Sequence, residues 1–297
     1  MYKYNYSVII PYYKAEKSIY RLINSIPERE DIQIIIVNDK CTTFNSEIAN
    51  SREHIVLLEN NTHNKGAGCC RNIGVDRSEG KFLLFADADD YFLENAFKIF
   101  DSYIDCKADV VYFSPISMFE GSLKSSTRHL YYKMLVENFV RSNSDLLRYY
   151  YFVPWSKMIS RDLVVQYNIR FDEIIASNDI NFSLQVGLKA RSVMADLASV
   201  YCVVDSLNSL TKQKSTTILD ARFVAMCRFN NILKSAGLNR LQLPLLHYLK
   251  AYSGFGLIKL TEKILEGLSQ KQPILFTVKS FLNNRNFRQY KATHTTK

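Results

Sequence analysis

Phe82-Leu-Leu-Phe-Ala-Asp-Ala-Asp-Asp90 combines an apolar run with three aspartates that follow it almost at once. Such a run predicts a buried strand, and the aspartates then lie at its carboxyl end. Comparable apolar runs are found at residues 7–11, 32–37, 55–58 and 110–113, with helix-like spacing between most of them. Strands without polar alternation, separated by helices, predict a Rossmann-like, mostly parallel central sheet with helices on both faces, which is the α/β class.

The carboxylates after this strand are candidates for a metal site. Ligands of parallel sheets gather at the carboxyl ends of the strands. In this chain those ends are residues 11–14, 38–42, 60–66 and 87–90. Asp87 and Asp89 can converge on one hard cation, Mn²⁺ or Mg²⁺, whose other positions remain for a diphosphate. The alternative is an acidic loop that caps the next helix. The position at a strand end favours the metal site.

The rest of the chain divides into a less regular middle and a helical end. The middle predicts, in order, a helical stretch at 130–150, a strand at 157–160, a helix at 179–189 and a strand at 200–204. From about residue 218 the pattern is helical to the end. We therefore predict an α/β domain over residues 1–215, with halves that meet at residues 113 and 114, and a helical region over residues 216–297.

Composition excludes several classes of protein. The chain has 297 residues, of which 47% are apolar and 23% charged, which is typical of a globular protein. The six cysteines show no paired spacing and the histidines no ligand spacing, so we expect free thiols in a reducing cytosol and no zinc site. The N-terminus has no signal-peptide pattern, and no apolar run is long enough to span a membrane. These observations predict a cytoplasmic protein.

The positive charge is concentrated in the helical region. The net charge is +9, and from Lys234 onward 11 lysines and arginines face only Glu262 and Glu266, so residues 1–233 balance to zero. Pro273 is expected to open a second amphipathic helix. In the first helix, one apolar face is predicted to comprise Leu257, Leu260, Ile264, Leu265 and Leu268. Such a region can bind an anionic membrane surface or pack on the main domain. Nucleic acid is disfavoured because no recognised binding module is present.

Five segments between Ser7 and Thr211 resemble, in the same order, the motifs of the inverting family 2 glycosyltransferases, which have the GT-A fold. They are Ser7-Val-Ile-Ile-Pro-Tyr-Tyr13; Ile36-Val-Asn-Asp39; Asn64-Lys-Gly66 with Arg71-Asn72-Ile-Gly74; Asp87-Ala-Asp89-Asp90; and Trp155-Ser-Lys157 with Phe171-Asp172 and Asn178-Asp179. Each segment is weak evidence singly, whereas five in order are specific. The resemblance makes residues 1–113 the nucleotide-sugar-binding half and residues 114–215 the acceptor half.

The resemblance implies a uridine-diphosphate sugar as donor and assigns its contacts. Asp39 would accept the imide N–H of uracil, although a turn-forming aspartate is the alternative. Gly66 would permit close backbone approach, and Arg71 would steady the diphosphate or the carboxylates near it, unless it is a surface helix residue. Asp89 would be the main metal ligand, and Asp87 would serve the ribose or the metal. The other implied donor contacts are Pro11, Tyr13 and Ala88.

Asp179 is the candidate general base. Sugar transfer with inversion needs one carboxylate that takes the proton of the acceptor hydroxyl as its oxygen attacks C1. The alternative is that Ser177, Asn178 and Asp179 cap a helix. The family's common Glu-Asp pair is Asn178-Asp179 here, so one carboxylate remains to act as the base.

The acceptor side is less defined. Trp155 can stack on a sugar ring or pack in the core, and Asn178 is a second candidate acceptor contact. Tyr201 and residues 209–212 resemble the family's closing segment, often a flap over the donor. Lys212 and Lys214 could reach the diphosphate, and the alternative is that they are solvated loop lysines. The second-strand motif continues Asp39-Lys-Cys41, where the family usually has Asp-Gly-Ser.

The resemblance implies transfer to a hydroxyl of a saccharide acceptor, linked to polyprenyl diphosphate, in the synthesis of bacterial O-antigen or capsule. It also implies a peripheral position on the cytoplasmic face of the inner membrane. Two alternatives remain. A sugar nucleotidyltransferase would need a glycine-rich phosphate loop where Pro11-Tyr-Tyr-Lys14 stands. A non-catalytic membrane-associated scaffold would not need to keep Asp39, Asp87, Asp89 and Asp179 together.

Overall fold

A mixed sheet forms the centre of the computed structural model, which describes residues 2–122, 124–206, 215–275 and 277–295. Within these residues its strands are β1 (Tyr4–Tyr12), β2 (Ile32–Asn38), β3 (Ile55–Glu59), β4 (Gly80–Phe85), β5 (Tyr91–Phe92), β6 (Val110–Phe119), β7 (Lys157–Ser160) and β8 (Val193–Asp205). Their spatial order is β3-β2-β1-β4-β7-β6-β8-β5. The five apolar runs of the sequence all lie in strands, as predicted.

The sheet is mostly parallel. β1 pairs in parallel with β2 and β4, β2 with β3, and β6 with β8. β7 is antiparallel to its neighbours β4 and β6, and the short β5 is antiparallel to β8. The carboxyl ends of β1, β2 and β4 therefore lie side by side at one edge of the sheet, which brings together the loops that follow Tyr12, Asn38 and Phe85.

Helices cover both faces of the sheet. The helices of the α/β part are α1 (Ser18–Asn24), α2 (Ala67–Arg77), α3 (Ala96–Asp101), α4 (Leu130–Ser142), α5 (Leu146–Tyr150), α6 (Arg161–Gln166) and α7 (Ile180–Lys189). Alternate residues of β1 enter different cores: Val8 packs with α1 and α3, and Ile9 packs with α2 and α4 to α7. The predicted helical stretch at 130–150 is two helices, because Asn143 adopts a left-handed conformation after α4.

The helical region packs on the α/β part. It consists of α8 (Thr216–Ser235), α9 (Leu245–Tyr252), α10 (Leu257–Ser269) and α11 (Val278–Thr295). Asn181 of α7 donates to the carbonyl of Ala225 in α8, and Asn283 of α11 donates to the Tyr131 hydroxyl in α4. The helix expected from Pro273 begins only at Val278. None of the described helices is both long enough and apolar enough to cross a membrane.

Candidate active site

Asp39 is buried directly after β2 and connects two loops. Its carboxylate oxygens accept hydrogen bonds from Asn60 Nδ2 at 2.8 Å and from the backbone N–H of Gly66 at 2.9 Å. Its own backbone N–H donates to the carbonyl of Tyr12 at 2.8 Å. A carboxylate has about four acceptor positions, so Asp39 keeps capacity for a further donor while its orientation is fixed. The uracil contact stays a prediction.

A pocket of about 430 Å³ opens beside Asp39. It is lined by Asn38, Lys40, Cys41, Thr42, Phe44, Ser46 and Glu59. Asn38 holds its wall in place, because its side-chain amide donates to the carbonyl of Cys41 at 3.0 Å and to the Glu59 carboxylate. Phe44 and Glu59, to which the resemblance assigned no role, therefore line the pocket beside the predicted uracil site.

Two glycines near the start of α2 are required for different reasons, one for its backbone conformation and the other for close packing. Gly66, just before the helix, has φ +125°, a conformation that side chains rarely adopt. A Cβ on Gly68 would lie 2.2 Å from the carbonyl oxygen of Asp172 and 3.0 Å from Cβ of Asn178. The sequence predicted a close backbone approach at Gly66. The structure shows a tighter approach at Gly68, where the donor half packs directly against the acceptor motif. Sequence reasoning did not single out Gly68.

Replacing Gly68 with alanine should destabilise the protein by about 1–3 kcal/mol, the usual cost of overpacking. The added methyl group meets backbone, which cannot rotate away as a flexible side chain can. Gly254→Ala is the matched control, because nothing lies within 4 Å of the methyl position there. Urea unfolding of both variants measures the difference. Equal stability of the two variants would contradict the close packing.

Arg71 bridges the donor and acceptor halves. Its guanidinium is buried, and it donates from Nη2 to Asp87 at 2.5 Å and from Nη1 to the Asn178 side-chain carbonyl at 2.8 Å. The ring of Phe171 lies 5.3 Å away, and Nε is buried without a hydrogen-bond partner. The alternative of a surface helix residue is wrong. Arg71 thus holds a carboxylate of the donor loop in place. The side-chain carbonyl of Asn178 is occupied by its hydrogen bond from Arg71.

The three aspartates after β4 have different surroundings. Asp90 is buried and accepts from the Tyr201 hydroxyl at 3.0 Å and from the backbone N–H of Val204 at 2.7 Å, so it fastens the loop to β8. Burial, with Asp89 and Asp87 nearby, holds the pKa of Asp90 well above its usual range. Asp89 is open to solvent on one side, yet the surrounding protein and then the Asp87 carboxylate raise the pKa of Asp89 to about 6.

The carboxylates of Asp87 and Asp89 fit a hard divalent cation. Both offer oxygen, the donor that Mn²⁺ and Mg²⁺ prefer, and Mg²⁺ commonly binds one or two carboxylates together with substrate phosphates. Among the residues that the structure describes, no group of three or more histidine, cysteine or carboxylate side chains is arranged to hold a metal by itself. A cation on these two carboxylates stays a prediction.

Asp179 follows Asn178, whose side chain accepts a hydrogen bond from Arg71. It immediately precedes α7, is half-buried, and makes no side-chain hydrogen bond to the helix backbone, so the capping interpretation is not supported. Burial raises the pKa of Asp179; the Asp87 carboxylate adds to this rise, and the cations of Arg71 and Lys157 oppose it. Asn178 and Asp87 both accept hydrogen bonds from Arg71, so the residue next to Asp179 is linked to the donor loop.

Lys157 is a buried cation that sequence reasoning assigned no role. Its Nζ donates to the carbonyl of Tyr151 at 2.7 Å and to the Ser183 hydroxyl at 3.1 Å. Burial lowers the pKa of Lys157 well below its usual range, and Asp179 opposes that shift. Ser183 in turn donates its backbone N–H to the carbonyl of Asp179. Lys157 thus supports the first turn of α7, on which Asp179 stands.

The remaining site candidates need correction or qualification. Trp155 is only 2% exposed and stacks on Tyr201, so the acceptor-platform assignment is wrong and the core interpretation holds.

The side chain of Ala88, a candidate donor contact, is buried in the core, which leaves only its backbone for a ligand. Pro11 is buried within β1. Tyr13 is exposed just after β1, with Lys65 Nζ 4.2 Å from its ring. The predicted flap at 209–214 lies outside the described residues.

The sheet and the carboxylates that follow its strand β4 are typical of the α/β proteins whose ligands gather at the strand ends. Residues 7–167 match the model of the family described as glycosyl transferase family 2. The chain belongs to the family 2 glycosyltransferases, as the five motifs predicted.

Relatives and solved structures agree with this family. The chain is 26% identical over 207 residues to the poly(ribitol-phosphate) beta-N-acetylglucosaminyltransferase TarS of Staphylococcus aureus, a match over 66% of this chain and 35% of TarS. It is 24% identical over 259 residues to the cholesterol galactosyltransferase of Borreliella burgdorferi, over 80% and 70% of the two chains.

A crystal structure of S. aureus TarS residues 1–349 with UDP-GlcNAc superposes with a TM-score of 0.65 at 20% identity, over 85% of this chain and 73% of that one. The fold is thus the GT-A fold that the resemblance implies. The chain spans only about a third of the length of the TarS protein that it matches in sequence.

Proposed function

We propose that this protein transfers a sugar from a UDP-sugar to a hydroxyl group of a saccharide or polymer acceptor, with inversion at C1. The observation that carries the proposal is the bridge made by Arg71, which joins Asp87 of the donor loop to Asn178, the neighbour of Asp179. The bridge brings a candidate base from the acceptor half to the carboxylates expected to bind the donor. The solved TarS complex with UDP-GlcNAc supports UDP as the nucleotide.

In the proposed reaction Asp179 takes the proton of the acceptor hydroxyl while that oxygen attacks C1 of the donor sugar. The bond between C1 and the diphosphate oxygen breaks, and its electrons leave with UDP. A cation held by Asp89 and Asp87 would supply neutralising charge near the diphosphate when it is bound. Arg71 keeps Asp87 in place, and the burial that raises the pKa of Asp179 makes it a stronger base than a solvated aspartate.

The acceptor is proposed to be part of a bacterial cell-surface polymer. The relatives named poly(ribitol-phosphate) transferases support this class. The polyprenyl-diphosphate linkage, a place in O-antigen or capsule synthesis, and a position on the cytoplasmic face of the inner membrane follow from the resemblance and remain parts of the proposal. The basic surplus of the helical region supports the membrane position.

Addition of UDP and Mn²⁺ together should raise the melting temperature by about 5 °C or more at saturating concentrations, since a ligand that binds only the folded state stabilises it. EDTA should remove most of this shift because the cation and the diphosphate bind jointly. Asp89→Asn should behave like EDTA treatment, whereas Asp105→Asn, an exposed aspartate in the loop after α3, should respond like the wild type. Differential scanning fluorimetry measures all four conditions.

An absent response of the wild-type protein to UDP with either cation would contradict the proposed donor and favour the non-catalytic scaffold. A full response in EDTA would instead show that Asp87 and Asp89 do not act through a metal. Release of UDP from a panel of UDP-sugars then identifies the donor.

A further inference from the structure

The helical region leaves a strongly apolar face uncovered on α10. Leu257 and Ile258 are 80% and 88% exposed, and Leu265 and Leu268 are exposed as well. At 100° per residue these positions fall within an arc of about 100° on one side of the helix. Only part of the predicted apolar face packs inward, since Leu260 and Ile264 contact the core of α8 and α9.

The inward side of the same helix is unusually polar. Lys263 is buried and forms ion pairs with Asp220 at 3.2 Å and with Glu266 at 2.7 Å. Gly267 lies against Leu245, whose side chain would be 2.5 Å from an added Cβ. These contacts hold α10 with a lysine inside and leucines outside. Exposed apolar patches of this kind typically mark an interaction surface.

The apolar face continues beyond α10. Ile274 and Leu275 are exposed, and they follow the helix after a tight turn in which Lys271 donates its backbone N–H to the carbonyl of Leu268. The carbonyl of Ile274 accepts a hydrogen bond from the backbone N–H of Leu246, which is exposed too. We call this set the α10 face: Leu246, Leu257, Ile258, Leu265, Leu268, Ile274 and Leu275.

The helical region that carries the α10 face is positively charged. The acidic residues after Lys234 are Glu262 and Glu266, and both are paired, Glu262 with Lys259 at 3.2 Å and Glu266 with Lys263. Lys271 is exposed at the end of α10, and Arg285 and Arg288 are exposed on α11. Even with Asp220 of α8, which also pairs with Lys259 and Lys263, cations outnumber acidic residues in the helical region.

We propose that the α10 face docks on the surface of a membrane that contains anionic lipid. An apolar helix face accompanied by basic residues is the pattern of interfacial binding, in which the leucines enter the headgroup boundary and the cations meet anionic headgroups. A second copy of this chain fits less well, because two equally basic regions would face each other. The inference rests on the proposed function for its biological setting and adds the surface and the lipid class.

The test is co-sedimentation of the full chain with vesicles of 70% phosphatidylcholine and 30% phosphatidylglycerol. The wild type should bind these vesicles and bind pure phosphatidylcholine at least tenfold more weakly. Ile258→Asp with Leu265→Asp should weaken binding at least tenfold, because two charged side chains enter the apolar contact. Arg285→Gln with Arg288→Gln should weaken it by about fivefold per cation removed. Val165→Asp, at an exposed apolar position on α6, should bind like the wild type.

Two results would overturn the inference. One is a wild-type protein that does not sediment with the anionic vesicles. The other is a wild-type dimer in analytical ultracentrifugation that Ile258→Asp with Leu265→Asp converts to a monomer, which would make the α10 face an interface between copies. The UDP and Mn²⁺ melting shift is measured on the same variants. A normal shift without vesicle binding removes only the docking surface, whereas a missing shift in all proteins removes the transfer reaction.

Discussion

Asp179→Asn is expected to lower kcat by about 10³-fold, within the range that general-base catalysis contributes. Asparagine keeps the size of the side chain but cannot take the proton of the acceptor hydroxyl. The side chain of Asp179 makes no capping hydrogen bond to α7, so its replacement should leave the helix intact. Release of UDP from donor and acceptor measures turnover, and the melting shift with UDP and Mn²⁺ shows that donor binding survives.

Asp105→Asn serves as the control for Asp179→Asn, because it makes the same chemical change at an exposed position. A variant at Asp179 that keeps full activity would show that the base is another group. A variant that loses the melting shift together with turnover would place Asp179 in donor binding instead.

Arg71→Met should be the most destabilising of the proposed changes, by about 3 kcal/mol, because removal of one partner from a buried ion pair leaves the other uncompensated. Asp87 would lose its cation and Asn178 its buried donor. Turnover should fall as well, since the residue next to Asp179 is no longer held. Guanidinium unfolding and the UDP-release assay measure the two effects.

Arg77→Met is the matched control, because Arg77 is on the same helix as Arg71 but is exposed in its last turn. The stability and turnover of Arg71→Lys should fall between those of the two methionine variants, since an ammonium keeps the charge but lacks the fixed planar fork that reaches both Asp87 and Asn178. If Arg71→Met is as stable and as active as Arg77→Met, the bridge between the two halves contributes neither to the free energy of unfolding nor to turnover.

Local sequence predicted most of the sheet. The runs at 7–11, 32–37 and 82–85 are largely apolar on consecutive positions, which is typical of a strand buried on both faces. Asp87 and Asp89 follow such a strand directly, so their place at the edge of the sheet was predictable. The order of the five motifs identified the family before any contact was known, and the family match confirms it.

Other features depend on residues far apart along the chain. From the sequence, Trp155 could stack on a sugar or pack in the core. In the structure it stacks on Tyr201 and so belongs to the core. Lys157 meets Ser183 only after β7 and α7 come together. Gly68 is packed against the carbonyl of Asp172, a contact that spans more than a hundred residues. No local pattern encodes these distances, because they follow from how whole elements pack.

Neighbouring residues alone predict the strand positions, the fold class, the family, and the candidate metal-binding and catalytic aspartates. They do so because hydrophobic periodicity and motif spacing are short-range properties. The tertiary arrangement was needed to show that Arg71 connects the two halves, that Asp90 is structural, and that α10 presents leucines outward with Lys263 inside. A helix with apolar residues on two sides can pack either way, and the ion pair of Lys263 with Asp220 of α8 selects one of the two orientations.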